Sequence, residues 1–149
     1  HRRAQFLDGE KMADQKSYAL PLPRARGRAA EFYQFCKNHE LRFQRCDDCA
    51  TWRHIPRDMC AKCGSFKWTW TASSGKGTLF SWTTATQPMM PQFAESVPYS
   101  PAVVELEEGV RLVTWLVDVK PEELRLGMPL RVAFDDVTPE VTLPKFRRA

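Results

Sequence analysis

Cys46-Asp-Asp-Cys49 and Cys60-Ala-Lys-Cys63 are two Cys-x-x-Cys knuckles separated by the ten residues Ala50 to Met59. Four thiolates at this spacing match a closed tetrahedral zinc site. Each knuckle turns its own two sulfurs toward one point. The connector is long enough for a short hairpin that lays the second pair over the first. Four of the five cysteines in the chain fall into this pattern. A complete set of sulfur ligands leaves no open coordination position, so the metal holds structure and does not activate a water. Iron fits the same cage, because geometry alone does not separate the two metals. The rival reading is a disulfide framework. No apolar signal segment opens the chain to point toward an oxidising compartment, and two tight pairs suit a metal better. Cys36 lies outside the pattern and reads as a small buried hydrophobe.

The net charge of +4 invites a nucleic-acid reading until it is divided along the chain. Residues 1–30 hold seven Lys/Arg against three Asp/Glu, residues 31–70 seven against five, and residues 71–149 eight against ten. The positive excess therefore belongs to the N-terminal part, whereas a nucleic-acid-binding domain places it on the folded face that tracks phosphates. No run approaches the ~18 apolar residues of a membrane span. A soluble, cytoplasmic protein without a membrane partner is the expectation.

The expected fold is mostly β: an N-terminal helix, a four-cysteine zinc ribbon, then a five-stranded OB-fold barrel. Residues 1–27 read as an extended arm ending in Leu20-Pro-Leu-Pro-Arg-Ala-Arg-Gly27, with Met12 as a candidate natural start. Residues 28–70 form the helix and ribbon. Phe32, Phe35, Cys36 and His39 recur at helical spacing and make one apolar face over Arg28 to His39. His39 reads as a capping or packing residue and His54 as a partly exposed hairpin residue, superfluous as a ligand beside four cysteines. Residues 71–149 form the barrel. Its expected strands are Thr78–Thr84, Pro101–Leu106, Val110–Val119, a segment around Leu130 to Phe134, and a short one at Val141 to Leu143. Within the third, Val113, Trp115, Val117 and Val119 are expected to share a face, and Glu107-Glu108-Gly109 to make a tight turn with solvated charges.

Between the first two barrel strands, the loop from Ala85 to Tyr99 carries three prolines, two methionines and two aromatics. Loops of this length in compact domains tend to be functional or disordered. Met89, Met90 and Phe93 offer an adaptable apolar contact for a partner or ligand, with folding back onto the barrel's open end as the alternative. The chain holds three histidines, and no Gly-x-Ser-x-Gly elbow, P-loop or dinucleotide fingerprint. No nucleophile–base pair emerges, so no catalytic residue is assigned and the chain is not expected to be an enzyme on its own.

The ordered set of pieces resembles the acyl-CoA-associated proteins of domain of unknown function 35. The matching stretches are Phe32-Tyr-Gln-Phe-Cys-Lys-Asn-His-Glu-Leu41, the two knuckles with Pro56-Arg57 between them, Gly75-Lys-Gly-Thr-Leu-Phe-Ser-Trp-Thr83, Val104-Glu-Leu-Glu-Glu-Gly-Val-Arg-Leu112, Leu126-Gly-Met-Pro-Leu-Arg-Val132 and Leu143-Pro-Lys-Phe146. Coverage runs from about Arg28 to the C-terminus. Ala50 stands where this family often has Gly. The resemblance implies a rubredoxin-like zinc ribbon joined to an OB-fold. It also implies an accessory role beside a thiolase-like catalytic subunit, in a hetero-oligomer such as α2β2. That partner is a thiolase or a thiolase-like aldolase or lyase, some relatives being fused to hydratase domains. Acyl-CoA would be the ligand shared with it. Phe32 and Phe35 on the helix, with Met89, Met90 and Phe93 in the loop, are the candidate contacts. Two other classes stay open: a single-stranded nucleic-acid binder using Trp52, Phe80 and Trp82 as stacking platforms, and a free-standing acyl-CoA-binding protein.

Overall fold

A computed structural model describes residues 18–149. The N-terminal part of the expected arm, with the candidate start at Met12, lies outside the described residues, and Tyr18 to Arg26 form no helix or strand. One helix, α1 (Arg28–Lys37), precedes eight strands: β1 (Arg42–Cys46), β2 (Trp52–Arg53), β3 (Trp68–Ala72), β4 (Lys76–Trp82), β5 (Pro101–Leu106), β6 (Arg111–Trp115), β7 (Pro129–Asp136) and β8 (Thr142–Arg148). Among the described residues no helix is long and apolar enough to cross a membrane.

Helix α1 ends two residues before the expected His39. His39 adopts a left-handed φ of 57°, and its N–H bonds to the Cys36 carbonyl while that of Glu40 reaches Phe35. These two bonds satisfy the last carbonyls and turn the chain into β1. The His39 Nε2 lies 2.9 Å from Asp136 and its ring stacks on Phe134 at 5.2 Å, which fastens the helix end to the barrel.

The ribbon is a three-stranded antiparallel sheet in the order β2-β1-β3. The barrel is a five-stranded sheet in the order β6-β5-β4-β7-β8. It curls until its edges meet. Leu116 and Phe146 form a parallel bridge, the Val117 N–H reaches the Phe146 carbonyl at 2.8 Å, and the Thr114 hydroxyl donates to the Pro144 carbonyl at 2.8 Å. That topology, with the third and fifth strands side by side, is the partly open OB barrel.

Ribbon and barrel share one core. Phe32, Cys36, Leu41 and Phe43 join Leu79, Val104, Leu112, Leu130 and Phe146 in a continuous buried cluster. Burial raises the Cys36 thiol to about 12, as suits a packing residue. Phe32, a candidate partner or ligand contact, is 4% exposed and belongs to this core. The helix closes the barrel end with its apolar face, which leaves that face no longer free.

Val113 and Trp115 share the outer face of β6, and its even-numbered residues turn inward. Val113 is 76% exposed, whereas Val110, Leu112 and Leu116 are buried and Thr114 is 7% exposed. The register explains it. Leu106 pairs with Val110 across a three-residue turn whose Gly109 has φ +89°, and cross-strand partners share a face. The inward phase of β5 (Ala102, Val104, Leu106) therefore passes to Val110, Leu112 and Thr114. The turn's acids are also less free than expected, since Glu108 accepts from the Ser74 N–H at 2.7 Å and Glu107 from the Ser74 hydroxyl at 2.8 Å. They brace the link between ribbon and barrel.

Candidate functional site

The two knuckles fold as near copies. In the first, the Ala50 N–H bonds to the Cys46 carbonyl at 3.0 Å and the Cys46 N–H to the Thr51 carbonyl at 2.9 Å. In the second, Gly64 reaches Cys60 at 2.9 Å and Cys60 reaches Ser65 at 2.8 Å. Residues 50 and 64 take matching left-handed conformations, φ 60° and 76°. The four sulfurs lie within 4.8 Å of one another, and Cys46–Cys63 and Cys49–Cys60 are each 3.6 Å apart. Tetrahedral zinc with ~2.3 Å bonds to sulfur requires edges of about 3.8 Å, so the cage fits the ion.

Electrostatics favour a cation there. The Thr51 hydroxyl, then its N–H, draws the Cys49 thiol down to about 6. The N–H groups of Cys63 and Lys62 lower Cys60. At Cys63 the Ser65 N–H pulls downward, but burial and the three sulfur neighbours outweigh it and hold the thiol up at about 12. Clustered thiolates repel, and a divalent cation removes that conflict. Outside the ligands, Thr69 donates to Asp47 at 2.8 Å and Ser65 donates to Asp48, tying the first knuckle to the chain that leaves the second.

The connector between knuckles is anchored inward. Gln44 is fully buried; its Oε1 accepts from the Arg57 N–H at 2.8 Å and from Arg53 Nε at 3.0 Å. Arg53 Nη2 also donates to the Arg57 carbonyl at 2.9 Å. His54 is half-buried, in line with a partly exposed hairpin residue. Its ring lies 5.1 Å from Phe32 and 5.3 Å from Phe43, and burial lowers it to about 4, so it stays neutral at ordinary pH.

The remaining candidates are scattered. Phe35 is half-buried, edge-on to Trp70 at 5.5 Å and beneath the Arg42 guanidinium at 5.2 Å. In the loop, Met89 is 85% exposed and Met90 43%. Phe93 instead folds back, stacked on Tyr99 at 5.8 Å and tilted against Trp115 at 6.2 Å. Two cavities lie along the seam between ribbon and barrel. One, about 780 Å³, is walled by apolar groups including Phe32, Tyr33, Leu112, Trp115 and Pro144. The other, about 550 Å³, is lined by Arg53, Arg57, Lys62 and Arg111. Sequence reading gave no hint of this second cleft because its cations come from two modules. Pro56-Arg57 and Val110-Arg111 were visible only as separate stretches.

Residues 34–69 match the family described as ChsH2, rubredoxin-like zinc ribbon domain, and residues 70–135 the family described as ChsH2, C-terminal OB-fold domain. A "Probable enoyl-CoA hydratase alpha subunit" of Thermomonospora curvata is 41% identical over 137 residues, 91% of this chain and 42% of that protein. The "3-oxo-4,17-pregnadiene-20-carboxyl-CoA hydratase alpha subunit" of Mycobacterium tuberculosis is 36% identical over 118 residues, 79% of this chain and 37% of that protein. The chain thus spans about two fifths of these relatives' length. A solved structure titled "Ltp2-ChsH2(DUF35) aldolase" superposes with a TM-score of 0.78 at 39% identity, covering 85% of this chain and 98% of that one. With its four-cysteine ribbon, its OB barrel and this end-to-end likeness, the chain belongs to the DUF35 family and carries the ChsH2-type zinc ribbon and OB-fold.

Proposed function

We propose that this chain is a non-catalytic, zinc-binding accessory subunit of a thiolase-like aldolase or lyase acting on acyl-CoA esters. The observation that carries the reading is the likeness across 98% of a chain solved as part of an Ltp2-ChsH2(DUF35) aldolase. The catalytic residues belong to the partner, in a hetero-oligomer such as α2β2. Zinc, held by Cys46, Cys49, Cys60 and Cys63, supplies rigidity and no reactive water. Met89 and Met90 are exposed side chains on a loop that Phe93, Tyr99 and Trp115 hold against the barrel. An adaptable thioether surface on a fixed base suits a protein partner. The hydratase names of two relatives agree with work on CoA esters, and in a longer chain the same domain would join a hydratase to its partner enzyme.

Reconstitution tests this reading. The catalytic partner, purified alone, is assayed for cleavage of its acyl-CoA substrate before and after addition of this chain. Turnover is expected to rise about tenfold or more as a stoichiometric complex forms, a change of ~1.4 kcal/mol in barrier. Unchanged turnover in an assembled complex would remove the role.

A further inference from the structure

The arm that precedes α1 lines the larger, apolar cavity. Tyr18, Leu20 and Pro21 face it together with Arg111 to Trp115 of β6. Tyr18 and Leu20 are half-buried while Ala19 and Pro21 are exposed, so alternate side chains turn inward. Burial, then the Asp135 carboxylate of β7, raises the Tyr18 phenol above its ordinary range. Packing is all that holds this segment: among the described residues, residues 18–26 make no hydrogen bond and no ion pair. Directly after it the chain is pinned. The Gly27 carbonyl accepts from the Ala30 and Glu31 N–H groups at 3.1 and 3.3 Å, and Arg28 pairs with Asp58 at 2.9 Å and lies over Trp68 at 4.7 Å. Gly27 itself has φ 57° and ψ −130°, a conformation open to glycine and strained for any other residue. A Cβ there would meet no atom within 4 Å, so the backbone angle alone calls for glycine.

The β6 wall of this cavity is an open sheet edge. The Leu106 N–H bonds to the Val110 carbonyl at 2.9 Å and the Leu116 N–H to the Ser100 carbonyl at 3.1 Å. The even residues of β6 therefore direct their backbone groups to β5, and Arg111 and Val113 direct theirs away from it. Among the described residues no strand pairs with that side until Leu116 bridges Phe146. Unpaired N–H and C=O groups beside an apolar groove take up extended chain from elsewhere unless something covers them.

We propose that residues 18–23 are a releasable strap, hinged at Gly27, that occupies the groove along the open edge of β6 and keeps other extended apolar chains out of it. The inference stands on the arm and the cavity, whichever enzyme the chain serves. Pro21 and Pro23 suit the role twice over. Their fixed φ holds the strap extended before it lies down, which lowers the entropy lost on docking. Their missing N–H groups keep it from locking into the sheet, so no ladder bond has to break when it lifts.

The test reads dye binding and proteolysis on the full zinc-loaded chain, with anilinonaphthalene sulfonate as the probe of exposed apolar surface. Y18S/L20S removes the side chains that face the groove, and G27A strains the hinge while leaving every wall residue intact. Each is expected to raise the dye fluorescence about threefold or more and to speed tryptic cleavage after Arg24 and Arg26 about tenfold. Zinc content and the melting transition should stay at the parent's values. V113E, added to Y18S/L20S, puts a carboxylate on the groove wall and is expected to abolish the dye gain. F66S, which removes an exposed ring outside both cavities, is expected to leave it. A synthetic peptide of residues 18–26 should displace the dye from Y18S/L20S at millimolar concentration, since it lacks the tether, and its doubly serine-substituted version should not. The proposal is overturned if Y18S/L20S keeps the parent's dye signal and cleavage rates, if the gain survives V113E, if it comes with loss of zinc, or if both peptides act alike. A G27A protein that matches the parent removes Gly27 as the hinge.

Discussion

Ala50 carries a backbone conformation that its neighbour in the pseudo-repeat, Gly64, adopts at no steric cost. At φ 60° an alanine Cβ crowds the following carbonyl, a strain of roughly 1–2 kcal/mol that glycine avoids while losing more chain entropy on folding. Ala50→Gly is therefore expected to stabilise the zinc-loaded protein by about 0.5–1 kcal/mol, read as a higher melting temperature with unchanged zinc content. The opposite holds at Gly77. A Cβ there would stand 2.4 Å from the Glu105 backbone carbonyl on the paired strand. Gly77→Ala forces β4 and β5 apart and is expected to cost about 2 kcal/mol or more in denaturant melts. His54 adds a pH dependence with a defined sign. Its folded value of about 4 lies below the ordinary 6.5, so the unfolded chain binds the extra proton between these values. Stability is then full above pH 6.5 and falls toward pH 4, by up to about 1 kcal/mol per unit. H54F should flatten that slope while the zinc site remains, and an unchanged slope would assign it to other groups.

At the scale of elements, the loop from Ala85 to Tyr99 divides into two parts with different expected phenotypes. Met89 and Met90 are exposed, so M89S/M90S should leave the unfolding free energy within about 0.5 kcal/mol of the parent and still reduce partner turnover. Phe93→Ser removes a ring from the stack with Tyr99 and Trp115 and should cost about 1 kcal/mol in stability. If M89S/M90S assembles and turns over normally, the loop is not a partner contact. The knuckles, the helix and five barrel strands were legible because each rests on a local signal: fixed Cys spacing, helical recurrence of Phe32 and Cys36, alternation in β5. Which face of β6 turns inward was not, because along the strand and the two residues after it the odd positions (Val113, Trp115, Val117) and the even ones (Leu112, Leu116) are both apolar. Only the Leu106–Val110 pairing decides, and that is a property of the hairpin. The burial of Phe32 was hidden for a related reason. An apolar helix face is visible in sequence, but whether it meets a partner or the chain's own barrel is a tertiary fact.

Across the whole molecule, the zinc cage is joined to the barrel through a shared core, with Phe43 of β1 fully buried beside Phe32. Removing the metal should therefore do more than loosen the ribbon. Chelation is expected to lower the melting temperature of the whole chain in one transition and to shift the emission of Trp52, Trp68 and Trp70. A ribbon that melts separately while the barrel keeps its transition would contradict the shared core. The cleft was illegible for a physical reason. Charge counted along the chain put the excess at the N-terminal end, but charge in space gathers at a seam where ribbon and barrel each contribute. The accessory role is tested most directly by affinity capture of this chain from its source cells under zinc-replete conditions, with the intact complex weighed by native mass spectrometry. A stoichiometric thiolase-like catalytic subunit held in a defined hetero-oligomer is the expected result. A zinc-loaded chain recovered alone, with no second subunit at any salt concentration, would contradict it.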